Sequence, residues 1–554
     1  MGQEENQAGI PATEPTLPRL SFGCEFEFLV VYLPPEREDP HAGQPGFSPL
    51  LRIRERGLTA GGTILEHVRQ TLRAHGIPVR YPNDIIPGSG TVAAYPLSVP
   101  TRLRGLDMWD VTSDASVSEF RDVSYEWAGV ELRTPASFAG KDAHRAIEYV
   151  LNVVKSCYRV RINPSAGFHV HVGNGREWFP PRVVKRLAAL LFAADPTISR
   201  LHAPWRRTSA YSNSIRYEST LACGRHDARS ARRVVRREPG LRTDRDEMVM
   251  STSSTGSSYR AESSDDGKES DPSPPPGSDA SNSDGQSFRL TLDAIGEEEE
   301  ESENDPDILM EMYELFMSGK NAAERGRGGN GSPGDARGAR KGAVRNDKSD
   351  TAATVSYQGT KLLPHDPTQL SREYRRGRLG NYDRLNWIPT VFNPRDPGGQ
   401  RGEIRPVTTT WDGVSEIMAC GGRRAGPSVG VLLSSAGHER LNYTFQSYTP
   451  FGYNVEFLSR RTIEFREAGG TLDSDWAITW SSICVGIVDW CRKPSLFRFL
   501  DVLERLKAQE DRDQRGIPHT DDERYDVCDF LDDLGLYAES EWVRHREKTS
   551  GPPR

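Results

Sequence analysis

Between Phe22 and Tyr32 the chain reads as a strand, and within it Gly23-Cys24-Glu25-Phe26-Glu27-Phe28 alternates polar with apolar residues. Successive side chains of a strand point to opposite faces, so Glu25 and Glu27 share one face while Cys24, Phe26 and Phe28 cover the other. The same alternation recurs in Gly167-Phe168-His169-Val170-His171-Val172 and in Thr462-Ile463-Glu464-Phe465-Arg466. A shorter strand, Val130 to Leu132, ends at Thr134-Pro135, and another is expected over Tyr453 to Leu458. Helical spacing governs Asp142 to Tyr158, where Ile147, Val150, Leu151 and Val154 fall on one face. A second helix over Arg182 to Ala194 is expected to stop at Asp195-Pro196, because the residue before a proline disfavours helical geometry. Val414 to Ala419 and Trp476 to Trp490 read as helices, and Leu496 to Leu506 and Asp522 to Arg546 as a peripheral helical end. No internal repeat is visible.

Residues 223–356 change character. An Arg-rich stretch is followed by Ser, Asp and Pro, then by the run Glu297 to Glu301, then by Gly/Arg-rich sequence. Such a composition buries too little apolar surface to offset the entropy of ordering it, which predicts a mostly disordered insertion. Asp307 to Met317 is an exception. There Ile308, Leu309, Met312, Leu315 and Phe316 fall at helical spacing and suit either a docking helix or one folding back on its own domain. The expected organisation is a disordered tail over 1–18, a domain split into 19–222 and 357–495, the insertion between its halves, and a helical region over 496–554.

A hydrophobic fraction of 36% over 554 residues favours one large domain plus disorder over three domains. The net charge of -8 offers no global attraction to nucleic acid or membrane. Seven cysteines without a C-x-x-C pair suggest neither a disulfide framework nor a zinc site. With no secretory signal or membrane-length apolar run, a cytoplasmic or nucleocytoplasmic location is expected.

An edge strand facing water gives the same polar-apolar alternation, and a single buried histidine is ordinarily a hydrogen-bonded core residue. Three such strands in apolar surroundings point further, since buried charge is costly unless it binds a cation or a partner. Glu131 adds a fourth carboxylate on its own short strand. Asp114, in Asp114-Ala115-Ser116, suits either an Asx turn or a functional role. Glu25, Glu27, Glu131, His169 and Glu464 form an oxygen-rich set that fits Mg²⁺ or Mn²⁺ better than zinc. Arg206 and Arg207 read either as anion binders or as a solvated basic face.

In this order, Gly23 to Glu27, Asp114 through Gly129-Val130-Glu131-Leu132, Asn163 to Gly173, Thr462 to Arg466 and Gly470-Thr471-Leu472-Asp473 resemble the amidoligase family. That family is placed with glutamine synthetase and γ-glutamylcysteine synthetase. The resemblance implies an α+β fold: a curved, largely antiparallel sheet with helices on one face, its concave face holding ATP and two metals. It implies an ATP-dependent carboxylate-amine ligase that forms an amide bond through an acyl phosphate, joining a carboxylate-bearing amino acid or peptide to an amine. Glu27 and Glu131 then look like ligands of one Mg²⁺ or Mn²⁺, and Glu25, His169 and Glu464 like ligands of a second that bridges the ATP phosphates. Arg466 looks like the arginine that steadies the transferred phosphate, with His171 or Asp114 accepting the amine's proton. Many relatives read Asp-Gly-Ser where this chain has Ala115. The alternatives are a metal-dependent hydrolase on the same residues, or a non-catalytic scaffold binding a protein partner through the insertion.

Overall fold

The computed structural model describes residues 17–80, 107–119, 122–175, 177–203, 206–209, 211–237, 362–363, 409–422, 424–435, 440–449, 461–517 and 524–550. All lie in one unit drawn from residues 1–239 and 342–554. Its strands are β1 (Ser21–Leu33), β2 (Leu51–Arg52), β3 (Asp110–Thr112), β4 (Glu126–Arg133), β5 (Ser137–Phe138), β6 (Val160–Arg161), β7 (Gly167–Gly173), β8 (Tyr443–Thr444) and β9 (Thr462–Gly469). Its helices are α1 (Gly57–Ala74), α2 (Lys141–Cys157), α3 (Pro181–Ile198), α4 (Ile215–Glu218), α5 (Ala228–Arg237), α6 (Thr410–Met418), α7 (Ala425–Leu432), α8 (Ser474–Cys491), α9 (Leu496–Gln514), α10 (Val527–Asp533) and α11 (Tyr537–Ser550).

The strands form one sheet in the order β3-β4-β1-β7-β9-β8, with β2, β5 and β6 paired to β1. Apart from the parallel pair β1 and β2, every pairing is antiparallel. The α+β class and the antiparallel sheet therefore agree with the sequence reading, whereas the curved sheet is corrected. The strand path is open, with β3 and β8 as its two ends. These ends have three and two residues, too short to carry the ladder round, so the chemistry lies on the face of an open sheet rather than inside a concave one.

The apolar face of the sheet is lined by Cys24, Phe26, Phe28, Val130, Leu132, Phe168, Val170, Val172, Ile463 and Phe465, all buried. Helix α8 packs on it, its Trp480 ring edge-on to Phe465 at a centroid distance of 6.4 Å. Helix α2 lies beside α8, and α1 extends the layer over β4 and β3.

Helix α3 does not end before Pro196 but runs through it to Ile198. Proline has no amide hydrogen for the carbonyl four residues back, which would leave Phe192 O without a donor. The fully buried Arg216 guanidinium supplies one: its Nε donates to Phe192 O at 2.5 Å and its Nη2 to Ala193 O at 2.5 Å.

Helix α5 carries ordered chain past residue 222, burying Ala231 and Val235 beside α7. The C-terminal helical stretch is divided between α10 and α11 at Gly535, whose φ of 78° suits glycine. The expected helix over 307–317 and strand over 453–458 lie outside the described residues. Among the described residues no helix is long and apolar enough to cross a membrane.

Candidate metal centre

Register across the four middle strands assembles the site. Glu25 of β1 lies opposite Arg133 of β4 on one side and His169 of β7 on the other; Glu27 lies opposite Glu131, and His171 opposite Glu464 of β9. With the two-residue period of a strand, these pairings place Glu131, Arg133, Glu25, Glu27, His169, His171, Glu464 and Arg466 on one face. A bulge adjusts the last strand. Between the pairs Phe168–Ala468 and Val170–Phe465, Arg466 and Glu467 together oppose His169. Arg466 can thus join the charged face while Glu467 turns into the protein, accepting hydrogen bonds from the Ser199 and Tyr443 hydroxyls.

The side chains occupy two depths. Glu25, His171 and Glu464 keep 12%, 17% and 14% of their side-chain surface, whereas Glu27, Glu131 and His169 keep 4%, 5% and 3%. The outer three form a candidate metal-binding cluster, each offering a ligand atom within 4.8 Å of the others. His171 Nε2 is 3.2 Å from Glu25 Oε1 and 3.8 Å from Glu464 Oε1. His169 sits deeper, its Nδ1 3.1 Å from Glu25 Oε2 and its Nε2 3.8 Å from Glu27 Oε1.

Donors already hold the inner carboxylates. Glu27 Oε2 accepts the Gly167 amide at 2.6 Å, and both Glu131 oxygens accept from Arg133, at 2.8 and 3.0 Å. A Cβ at position 167 would lie 2.6 Å from His169 Nε2, 3.0 Å from Arg206 Nη2 and 3.2 Å from Glu27 Oε2, so the close approach requires glycine there.

Four carboxylates share this face with two guanidiniums, those of Arg133 and Arg466. The four carboxylates outnumber the two guanidiniums by two. Burial and the charge of Glu25 push Glu131 up to about 7, against the pull of Arg133. Burial also opposes ionisation of Glu25, but the two imidazoles hold it well below the usual carboxylate range; Arg466 and His171 likewise hold Glu464 down. Two carboxylates kept ionised, with an imidazole beside them on a face where carboxylates outnumber guanidiniums, fit a divalent cation.

All the expected site residues of β1, β4, β7 and β9 come together, but His171 rather than His169 belongs to the outer cluster. Asp114 stands apart from the row as the acceptor of an Asx turn, taking the Ser116 amide at 2.7 Å and hydroxyl at 2.6 Å. Burial works against its ionisation, and those bonds, with the charges of Arg440 and His169, hold it below the usual range. Its turn packs on Gly129, where a Cβ would come within 2.4 Å of Val117 O. Arg206 is no solvated cation. It is fully buried, donating to the carbonyls of Glu467 at 3.2 Å and Arg466 at 2.9 Å, and so ties down the bulge. Arg133 escaped the sequence reading, although it stands two residues from Glu131 on a strand, the relation that singled out Arg466.

Residues 18–239 match the family model described as “Putative amidoligase enzyme”. The match supports assigning this segment to the amidoligase family and, with it, amide-bond-forming ligase activity in general. It spans Glu25, Glu27, Glu131, His169 and His171; Glu464 and Arg466 come from β9, beyond the match. No curated protein and no solved structure matches the chain.

Proposed function

We propose that this chain is an ATP-dependent carboxylate-amine ligase working through an acyl phosphate. The observation that carries the reading is the cluster of Glu25, His171 and Glu464 with Arg466 beside it on β9, its Nη1 donating to Glu464 Oε1. A carboxylate is a poor electrophile and needs activation before an amine can attack it. Its oxygen attacks the γ-phosphorus of ATP, the bond to the β,γ-bridging oxygen breaks, and ADP leaves. The amine then attacks the carbonyl carbon, phosphate departs, and the amine nitrogen loses a proton. Mg²⁺ or Mn²⁺ held by Glu25, His171 and Glu464 would supply positive charge for the phosphate oxygens. Arg466, fixed against Glu464, offers a second positive charge that needs no reorganisation. With His171 among the ligands, Asp114 is the remaining candidate to accept the amine's proton. The acid partner is an amino acid or peptide carboxylate. A cytoplasmic setting is consistent with seven cysteines that form no disulfide.

Calorimetry of ATP binding with and without Mg²⁺ tests the proposal, using the full chain and a Glu25→Ala, Glu464→Ala double variant. Mg²⁺-dependent binding that the double variant loses is the expected result. Absence of ATP binding by the folded full chain at millimolar Mg²⁺ would refute it.

A further inference from the structure

Glu467 is a fully buried carboxylate on the strand that carries Glu464 and Arg466, and the chemistry proposed above gives it no part. A buried acid is costly unless its oxygens are well supplied with donors. In unbroken register with β7, Glu467 would stand opposite Phe168, whose ring stacks on Phe26 at a centroid distance of 4.8 Å. The bulge puts Ala468 there instead and leaves the carboxylate to one side. It there accepts from the hydroxyls of Ser199, just past the end of α3, and Tyr443 of β8, both fully buried. The bulged main chain is held as closely. The Arg466 amide donates to Asn442 O at 2.7 Å, and Arg206 takes the carbonyls of both bulge residues. Against this fixed backbone the Arg466 side chain is incompletely satisfied: its Nη1 donates to Glu464, but its Nε is buried without a hydrogen-bond partner. Such a donor is costly and persists only where the surrounding structure imposes it.

We propose that Glu467 is a positioning residue for Arg466: its carboxylate, clamped between Ser199 and Tyr443, fixes the bulge so that the guanidinium is held on the charged face with a donor left open for a phosphate oxygen. The inference rests on reading Arg466 as a partner of the ATP phosphates. Glu467 turns away from the charged face and acts only through the course of the strand. A bulge re-aims the side chains beside it, so its stability decides where the Arg466 fork points. Hydroxyls donating to an ionised carboxylate make stronger bonds than they make to a neutral amide. Glutamine at 467 keeps the shape but offers one acceptor to two hydroxyls and sets an amide donor among donors. The bulge then loosens, and Arg466 can turn to satisfy its Nε on the neighbouring carboxylates at the expense of the phosphate.

The test is calorimetry of ATP binding at millimolar Mg²⁺ on the full chain, run as a cycle of wild type, Glu467→Gln, Arg466→Gln and the double variant. The electron paramagnetic resonance signal of free Mn²⁺ gives the metal affinity of each protein without nucleotide. Glu467→Gln should weaken ATP about tenfold when Arg466 is present and less than about twofold once it is gone, while Mn²⁺ affinity stays within about threefold. If Glu467→Gln does not fold, Tyr443→Phe, which removes one of the two hydroxyls, takes its place in the cycle with the same pattern at about threefold for ATP. Equal losses of ATP affinity with and without Arg466 overturn the proposal, as do an unchanged ATP affinity and a Mn²⁺ loss as large as the ATP loss, since general loosening of the fold would produce that last result. Wild type that binds no ATP removes the reading of Arg466 and this inference with it; wild-type binding with an additive cycle removes this inference alone.

Discussion

Arg216→Met should cost the fold about 3–5 kcal/mol, the range for removing one partner of a buried ion pair. The Arg216 side chain is fully buried, and its Nη1 lies 2.7 Å from Glu510 Oε1 on α9. Methionine fills much of the volume but leaves Glu510 with the Thr410 hydroxyl, 2.6 Å from its Oε2, as a remaining donor. It also withdraws both hydrogen bonds to α3, and Phe192 O has no substitute because Pro196 stands four residues on. That orphaned carbonyl accounts for about 1 kcal/mol of the loss. Pro196→Ala in the Arg216→Met background returns an amide hydrogen to the helix, so the double variant should recover about 1 kcal/mol relative to additivity. Urea unfolding followed by tryptophan fluorescence measures all four proteins of the cycle. An Arg216→Met loss below about 1 kcal/mol, or a cycle additive within about 0.5 kcal/mol, would mean that the guanidinium is not what allows α3 to pass the proline.

Two further outcomes follow from named contacts. Gly167→Ala should destabilise the chain by about 1–3 kcal/mol and weaken Mn²⁺ binding, because the added methyl must displace His169, Arg206 or Glu27; unchanged melting and unchanged Mn²⁺ affinity would contradict the crowding. Asp39 accepts hydrogen bonds from the Arg159 guanidinium at 2.6 Å, the His41 amide and the Tyr125 hydroxyl, which outweigh burial and lower its pKa from 3.8 to about 2. Its folded-state pKa lies below the unfolded one, so its contribution, about 2 kcal/mol, is present above about pH 4 and fades as pH falls toward 2. Asp39→Asn should flatten the stability profile in that window, and a slope identical to wild type there would refute the assignment.

Much of the charged face was legible from sequence because strand periodicity is local. Glu25 with Glu27, His169 with His171, and Glu464 with Arg466 each disclose a shared face without knowledge of their neighbours. What periodicity cannot supply is which strands adjoin and how deep each side chain sits. That His171 as well as His169 approaches Glu25 and Glu464 depends on the register of β7 with β1 and β9, the latter nearly three hundred positions away. The course of α3 failed for a related reason: the local rule for Pro196 is sound, but a distant arginine meets the need it creates. Arg206 failed because a charge beside another charge looks solvated until the carbonyls of a bulged strand are known to surround it. The openness of the sheet was equally out of reach, since it follows from the brevity of β3 and β8 at the ends of the path.

The position of β9 inside the sheet, between β7 and β8, has a bearing on how the chain is made. During synthesis β7 emerges with one side paired to β1, but its other ladder partner is translated about 290 residues later, roughly 15–60 s at ordinary elongation rates. For that interval the nascent chain presents an unsatisfied interior strand carrying Phe168, Val170 and Val172, the kind of edge that invites foreign pairing. Its completion is a late event, and until β9 docks, the ribosome-bound chain depends on whatever shields that edge.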